Sequence, residues 1–299
     1  MLGIRYLRRV GYDANAMASF LSKLRANSRL EAKIAGRSPD EVDAYDITAT
    51  HPRTVARVRQ AAALAGGARR GPKRRRRDTF LNVIDGMVYG DGPAQGYILG
   101  RRFAHAKLRF EFTVPAGFRL RNSPERVVAE SKRDQAKIIL DRAPKPYRGA
   151  MTAYIARVWA RDVSVGGLEA ITINGFAAAT GTVRGRTRKG AVEFRLIAIR
   201  HDARRVFRLL IAAPPASMRR LATPLQRMTY SFRRLSVARA AALKPKRLRI
   251  VTVEPGATPD GFAPRMAFAE FRRERFLVLN GLADGGSLAG RKRVKIVTR

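Results

Sequence analysis

Three histidines, no cysteine and a scatter of carboxylates are the residues through which this 299-residue chain could do chemistry. His51 stands between Thr50 and Pro52 in "TATHPRT" (48–54). Proline suits the first position of a helix, so His51 falls at a helix start, where the dipole favours a neutral imidazole. A neutral ring there could ligate a metal or stabilise an oxyanion. An N-terminal cap beside Pro52 explains the same placement without chemistry. His105 and His201 fall in or beside expected strands, far from His51 in sequence, and read as structural or surface groups. Scattered histidines do not make a zinc site, and the helix-borne H-E-x-x-H pair is absent. The lack of cysteine excludes disulfides, thiolate zinc sites and cysteine nucleophiles. Neither a G-x-S-x-G elbow nor a G-x-x-x-x-G-K-[ST] phosphate loop occurs. Asp40, Glu41, Asp43 and Asp46 share one polar stretch and read as a solvated acidic loop.

Charge speaks to partners more than to catalysis. With 61 basic against 23 acidic residues the chain carries a formal +38, the mark of a basic protein drawn to anionic polymers. That excess favours DNA, RNA, anionic lipid and acidic wall polymers alike and selects none. It is spread along the chain, with one local run, "RRGPKRRRR" (69–77). The run could touch phosphates in a salt-dependent way, but it lacks interleaved aromatics that would stack on bases. A solvated linker is the expectation; no specific nucleic acid is expected, and non-specific nucleic-acid binding ranks last. No stretch approaches 18 consecutive apolar residues, and "MLGIRYLRRVGYD" has no apolar signal-peptide region.

The elements that would position these residues fall into three folded parts, an α+β multidomain chain. Residues 1–68 read as helical, with Met17, Phe20, Leu21 and Leu24 at helical spacing behind Asp13 as cap. A second helix from Pro52 is expected to bury Val55, Val58 and Ala62. A basic linker, 69–79, follows. Residues 80–235 read as an antiparallel sheet with helices. "LRFEFTV" (108–114) alternates, "RVVAE" and "AKIILD" are strands, and Met151, Tyr154, Ile155, Val158 and Trp159 mark a helix. Asn174-Gly175 is expected to turn a hairpin, and Pro224 to kink or split a helix across 216–229. After a linker at 236–247, residues 248–299 form a small βααβ unit near the lower size limit of an independent domain.

Three resemblances overlie this reading. "LGIRYLRRVGYDANAMASFLSKL" (2–24), followed by "THPRTVARV" (50–58), resembles the later part of HExxH zinc metallopeptidases of the BepA-like group, periplasmic proteases of envelope quality control. That resemblance implies an active-site-proximal role for His51 and zinc in the full-length family. The H-E-x-x-H helix and the glutamate ligand are not in this sequence, so no zinc is expected for this chain alone, and it is expected to be inactive as a peptidase by itself. A start misplaced inside a longer gene, or a truncated paralogue, is the accompanying expectation. "LRFEFTVPAGF" (108–118) resembles PsbP/Mog-like α/β domains, binding or scaffold modules. Thr252-Val253, Gly256, Thr258, Asn280-Gly281-Leu282, Gly290 and Val294-Lys295-Ile296 resemble a LysM module, with Gly256-Ala257-Thr258 where the family has G-D-T. That last resemblance implies glycan contacts at Gly256, Thr258, Asn280 and Gly281, peptidoglycan and envelope proteins as partners, and a place in the periplasm or cell envelope.

Overall fold

The computed structural model describes residues 2–42, 54–66, 74–188 and 190–299. It is an α+β protein of two compact units, Met1–Tyr89 with Lys246–Arg299, and Gly90–Pro245. In chain order the helices are α1 (Leu2–Arg9), α2 (Asn15–Ile34), α3 (Thr54–Gly66), α4 (Arg77–Ile84), α5 (Met151–Tyr154), α6 (Pro215–Arg220), α7 (Ala222–Tyr230), α8 (Val237–Ala241), α9 (Pro259–Phe262) and α10 (Arg272–Asn280). The strands are β1 (Tyr97–Leu99), β2 (Arg102–His105), β3 (Phe110–Thr113), β4 (Arg119–Asn122), β5 (Arg126–Ser131), β6 (Ala136–Arg142), β7 (Gly166–Ile173), β8 (Phe176–Thr187), β9 (Gly190–Arg200), β10 (Val206–Ala213), β11 (Arg233–Arg234), β12 (Arg247–Thr252) and β13 (Arg293–Thr298).

In the middle unit seven strands form an antiparallel sheet in the order β4-β5-β6-β10-β9-β8-β7. Its central strands are apolar on both faces, because both faces are covered. Ile197 and Ile199 join Phe207, Leu209, Ile211 and the helical residues Met218, Leu225 and Met228 on one side. Leu196, Ala198 and Val206 meet Met151, Tyr154 and Ile155 on the other. Period-two alternation thus sends each strand into two cores, and burying one aromatic or branched side chain contributes roughly 1.5–3 kcal/mol. The expected Asn174-Gly175 hairpin is present: Ile173 pairs with Phe176, and both turn residues have positive φ (46° and 81°), the geometry a two-residue turn demands. The helix expected across 216–229 is split into α6 and α7 at Leu221, with Pro224 in the first turn of the second piece. After α5 the chain closes one π turn, Ile155–Trp159.

A smaller sheet, β1-β2-β3-β11, carries Phe103, Phe110 and Phe112 into the first of those cores. The strict alternation expected at 108–114 does not translate into one buried and one solvent face. Glu111, between Phe110 and Phe112, is only 2% exposed. Its carboxylate accepts hydrogen bonds from Arg102 (3.0 Å) and Arg233 (2.8 Å) and pairs with Arg239 (3.3 Å). Three guanidinium groups thereby make burial of one carboxylate tolerable.

The other unit joins the two ends of the sequence. Ile4, Leu21, Ala61 and Ala65 form a small core between α1, α2 and α3. The buried face of α3 therefore carries Ala61 and Ala65, with Ala62 exposed, and Phe20 and Leu24 of α2 are exposed as well. Residues 77–79, read above as the end of a basic linker, open α4. Leu81 and Ile84 of that helix pack with Leu248, Phe276 and Val297. Residues 86–89 then pair along β12: Gly86 N–H donates to Leu248 O (2.8 Å), Leu248 N–H to Met87 O (2.9 Å) and Tyr89 N–H to Lys246 O (2.8 Å). Lys33 of α2 pairs with Glu274 of α10 at 3.1 Å. The C-terminal segment thus shares its core with α4 and does not stand as a separate body. Within it the expected βααβ order is present, with helix confined to Arg272–Asn280 in the stretch 265–281.

Candidate functional site

The C-terminal βααβ element has one open end. β12 and β13 pair antiparallel down to Thr252 opposite Arg293, and Val253 N–H donates to Lys292 O (2.9 Å) beyond that pair. The loops 253–258 and 281–292 therefore leave the ribbon at the same end. Gly256 (φ 76°) sits in a turn closed by Ala257 N–H on Glu254 O (3.1 Å). Thr258 caps α9, its Oγ1 accepting from Gly261 N–H (3.3 Å) ahead of Pro259. Arg273 of α10 spans the element, donating to Asp260 of α9 (2.7 Å) and to Asp284 of the second loop (2.6 Å). Hydrogen bonding to Asp284 raises the already high pKa of Arg273, and the same bond lowers that of Asp284.

Of the four residues implicated in glycan contact, Gly256 and Thr258 share the first loop. Asn280 is internal, 4% exposed. Its amide donates to Phe276 O (3.0 Å) and Lys295 O (2.8 Å), and its Oδ1 accepts from Lys295 N–H (2.8 Å). It ties α10 to β13 and leaves little for a ligand. Gly281 ends α10 in the left-handed region (φ 64°), and a Cβ there would run into the Lys23 stem at 2.5 Å. Gly281 is exposed, with only the Lys23 side chain of α2 beside it. Sequence reasoning missed the Arg273 bridge, whose partners lie 13 and 11 residues away on other elements.

A second candidate lies wholly in the middle unit: a cavity of about 470 Å³ floored by Phe103, Phe110 and Phe207 and rimmed by His105, Asn122 and Asp141. His105 is buried, and burial, against the opposing hydrogen bond to the Ala94 backbone, holds its pKa down at about 4. Its Nδ1 accepts from Leu108 N–H (3.2 Å). Such a ring is neutral at pH 7 and already committed, which suits structure better than general base catalysis. Asn122 donates to Asp91 (3.2 Å) and Gln95 O (3.0 Å), while its buried Oδ1 has no partner among the described residues. Asp141 is held in a two-point pair with Arg208 (2.7 and 2.6 Å). His201 lies outside this cavity, in an aromatic cluster with Phe176 and Phe207 (5.7 and 5.3 Å between ring centres). Burial also lowers its pKa, against the opposing hydrogen bond to Asp202.

Thr50, His51 and Pro52 lie outside the described residues. Among the described residues, no group of three His, Cys, Asp or Glu could hold a metal ion, and no helix is long and apolar enough to cross a membrane.

No family model and no curated protein matches the chain. Solved structures do. Cyanobacterial PsbP from Synechocystis sp. PCC 6803 matches at 15% identity over 50% of this chain and 98% of that one, TM-score 0.35. The Ran-binding protein Mog1p of Saccharomyces cerevisiae matches at 16% over 48% and 98%, TM-score 0.34. LpqN of Mycobacterium tuberculosis, involved in cell envelope biogenesis, matches at 15% over 42% and 83%, TM-score 0.31. These matches echo the PsbP/Mog-like part of the sequence resemblance. They do not support the BepA-like part, which is corrected here: these neighbours are a PsbP, a Mog1p and an LpqN, with no peptidase among them. A short run of shared residues in 2–24 and 50–58 is thin ground for assigning a catalytic domain, and the active-site-proximal role of His51 rested on that resemblance alone.

Proposed function

We propose that this chain is a non-catalytic binding protein of the bacterial cell envelope, holding peptidoglycan glycan at the open end of its C-terminal βααβ element. The observation that carries the reading is the exit of loops 253–258 and 281–292 from one end of the β12–β13 ribbon, where Thr252 faces Arg293. Sugar hydroxyls and acetamido groups need donors and acceptors that regular structure has not consumed. Loops of this kind offer backbone groups, and Gly256, Gly285 and Gly290 all have positive φ, which brings the main chain to the surface without side chains in the way. The LysM-like residues fall on the same element. Basic surface elsewhere would add weak, salt-sensitive adhesion to acidic wall polymers.

The test is sedimentation of the full chain with purified peptidoglycan at rising salt. Deleting residues 248–299 is a poor control, because Leu81 and Ile84 share their core with that segment. Single tryptophans on exposed loop positions, Glu254→Trp and Ala289→Trp, are better. Binding that survives salt and falls at least about tenfold in both variants supports the reading; each lost contact of about 1.4 kcal/mol is a factor of ten. Equal binding by all three proteins, vanishing together as salt rises, would leave only cationic adsorption.

A further inference from the structure

In the unit built from both ends of the sequence, four cations gather around the end of α10, where the carboxylate beside Arg77, Asp78, is paired with Arg293. Asn280 organises the group. Its side chain grips Lys295 by both backbone groups (2.8 Å each), and its carbonyl accepts from Arg291 Nη1 (3.0 Å). The next residue, Gly281, lies against the stem of Lys23. Arg77 at the start of α4 donates to Arg293 O (3.0 Å), between Arg291 and Lys295 on the same stretch. Lys23 and Arg77 are exposed; Arg291 and Lys295 are recessed between them.

Neighbouring cations behave differently. Arg75 is paired with Asp13 (2.7 Å), Arg293 with Asp78 (2.8 Å) and Arg273 with Asp260 (2.7 Å). No ion pair to a carboxylate is present for Lys23, Arg77, Arg291 or Lys295 among the described residues. Lys23, Arg291 and Lys295 are instead set against like charge. Burial, followed by Lys23, Arg77 and Arg291, depresses Lys295 to about 8, and burial and Arg291, Arg77 and Arg75 lower Lys23. Like charges held together by the fold store repulsion that a counter-charge would relieve.

We propose that Lys23, Arg77, Arg291 and Lys295 form a binding site for a phosphate group, carried free or at the end of a larger molecule. Two guanidinium groups supply paired donors for its oxygens, and two ammonium groups supply point charge and single donors. A dianionic phosphate matches such a set better than a single carboxylate, since three oxygens can each meet a cation. The site does not depend on the glycan reading: it lies around Asn280 and β13 and uses none of Glu254, Gly256 or Thr258.

The experiment uses the full chain and inorganic phosphate. Its thermal midpoint is followed as sodium phosphate rises, against sodium chloride at matched ionic strength, while side-chain NMR follows the ammonium of Lys295. Phosphate is expected to raise the midpoint beyond chloride and to move the Lys295 pKa upward by at least about one unit, the size expected when a counter-charge arrives within a few ångströms. Arg291→Met should weaken the phosphate response about tenfold, the cost of one charge-assisted hydrogen bond. Lys23→Met, on an exposed position, serves as the second variant should Arg291→Met fold poorly, and it too should weaken the response. Glu254→Trp should leave it unchanged, which separates this site from the glycan loops. Vesicles carrying phosphatidic acid distinguish the sources: competition by inorganic phosphate for vesicle binding places both at one site, while vesicle binding indifferent to phosphate assigns the lipid elsewhere and counts against a lipid source. Equal responses to phosphate and chloride, or an unmoved Lys295, would overturn the proposal.

Discussion

Two groups of cations, one in each unit, meet the excess of positive charge in opposite ways. In the middle unit arginines are spent on carboxylates that the fold has pulled inward. Glu111 takes Arg102, Arg233 and Arg239, Asp134 takes Arg220 (2.6 Å), and Asp141 takes Arg208 (2.6 Å). In the unit of the two termini, Lys23, Arg77, Arg291 and Lys295 crowd together and repel. Pairing inward stabilises a core that must carry charge. Leaving cations unpaired in a recess costs stability and is useful only where something else supplies the missing charge. A high net charge therefore says little until each cation has been asked what it faces.

That contrast can be broken, most sharply at Glu111. Replacing it by alanine leaves three guanidinium groups around an emptied, buried position, and the middle unit should lose about 4 kcal/mol. Urea unfolding followed through Trp159, the single tryptophan and a residue of that unit, reads the loss directly. An unchanged midpoint would mean that the inward pairing is ornamental. Acid should weaken the same unit next. His105 has a folded pKa of about 4 against 6.5 in an unfolded chain, so between those values the unfolded state binds the extra proton. Stability is full above pH 6.5 and falls by about 3 kcal/mol as pH drops to 4. In His105→Gln that share of the slope should vanish, as measured by urea midpoints at stepped pH. A smaller effect is expected in the other unit from Asn280→Ala. Lys295 N–H and C=O would lose their side-chain partners, costing about 2 kcal/mol and letting the recessed cations drift apart. Hydrogen exchange of β13 measures the first consequence; a blunted phosphate response measures the second.

Much of the middle unit was legible in its sequence, because local rules acted alone there. Asn174-Gly175 declares its turn through the positive φ both residues tolerate, and Pro224 marks a helix that must break. The βααβ order of 248–299 was legible for the same reason. Alternation misled at 108–114, since β3 is covered on both faces and Glu111 is buried through arginines at 102, 233 and 239 that no local window contains. On α3, alanines at 61, 62 and 65 look alike in a hydrophobic pattern, and packing alone decides that 61 and 65 face inward. The candidate sites divide similarly. Loop residues Gly256 and Thr258 could be named from spacing; the group around Asn280 could not, because it assembles positions 23, 77, 291 and 295. Residues matched to a peptidase motif by local similarity alone gave the least secure expectation of all.

The sharing of one core by Leu81 and Ile84 with Leu248, Phe276 and Val297 also sets an order on synthesis. A ribosome adding about 5–20 residues per second delivers the first segment on the order of ten seconds before the last, and in that interval Gly90–Pro245 emerges as a unit with its own core. Helix α4 and residues 86–89 must wait, their strand edge uncovered until β12 arrives and their apolar side chains until the last elements close the core. Residues 77–89 are thus made early and finished late, and a nascent chain halted before residue 246 would present that unfinished edge to whatever chaperone attends it.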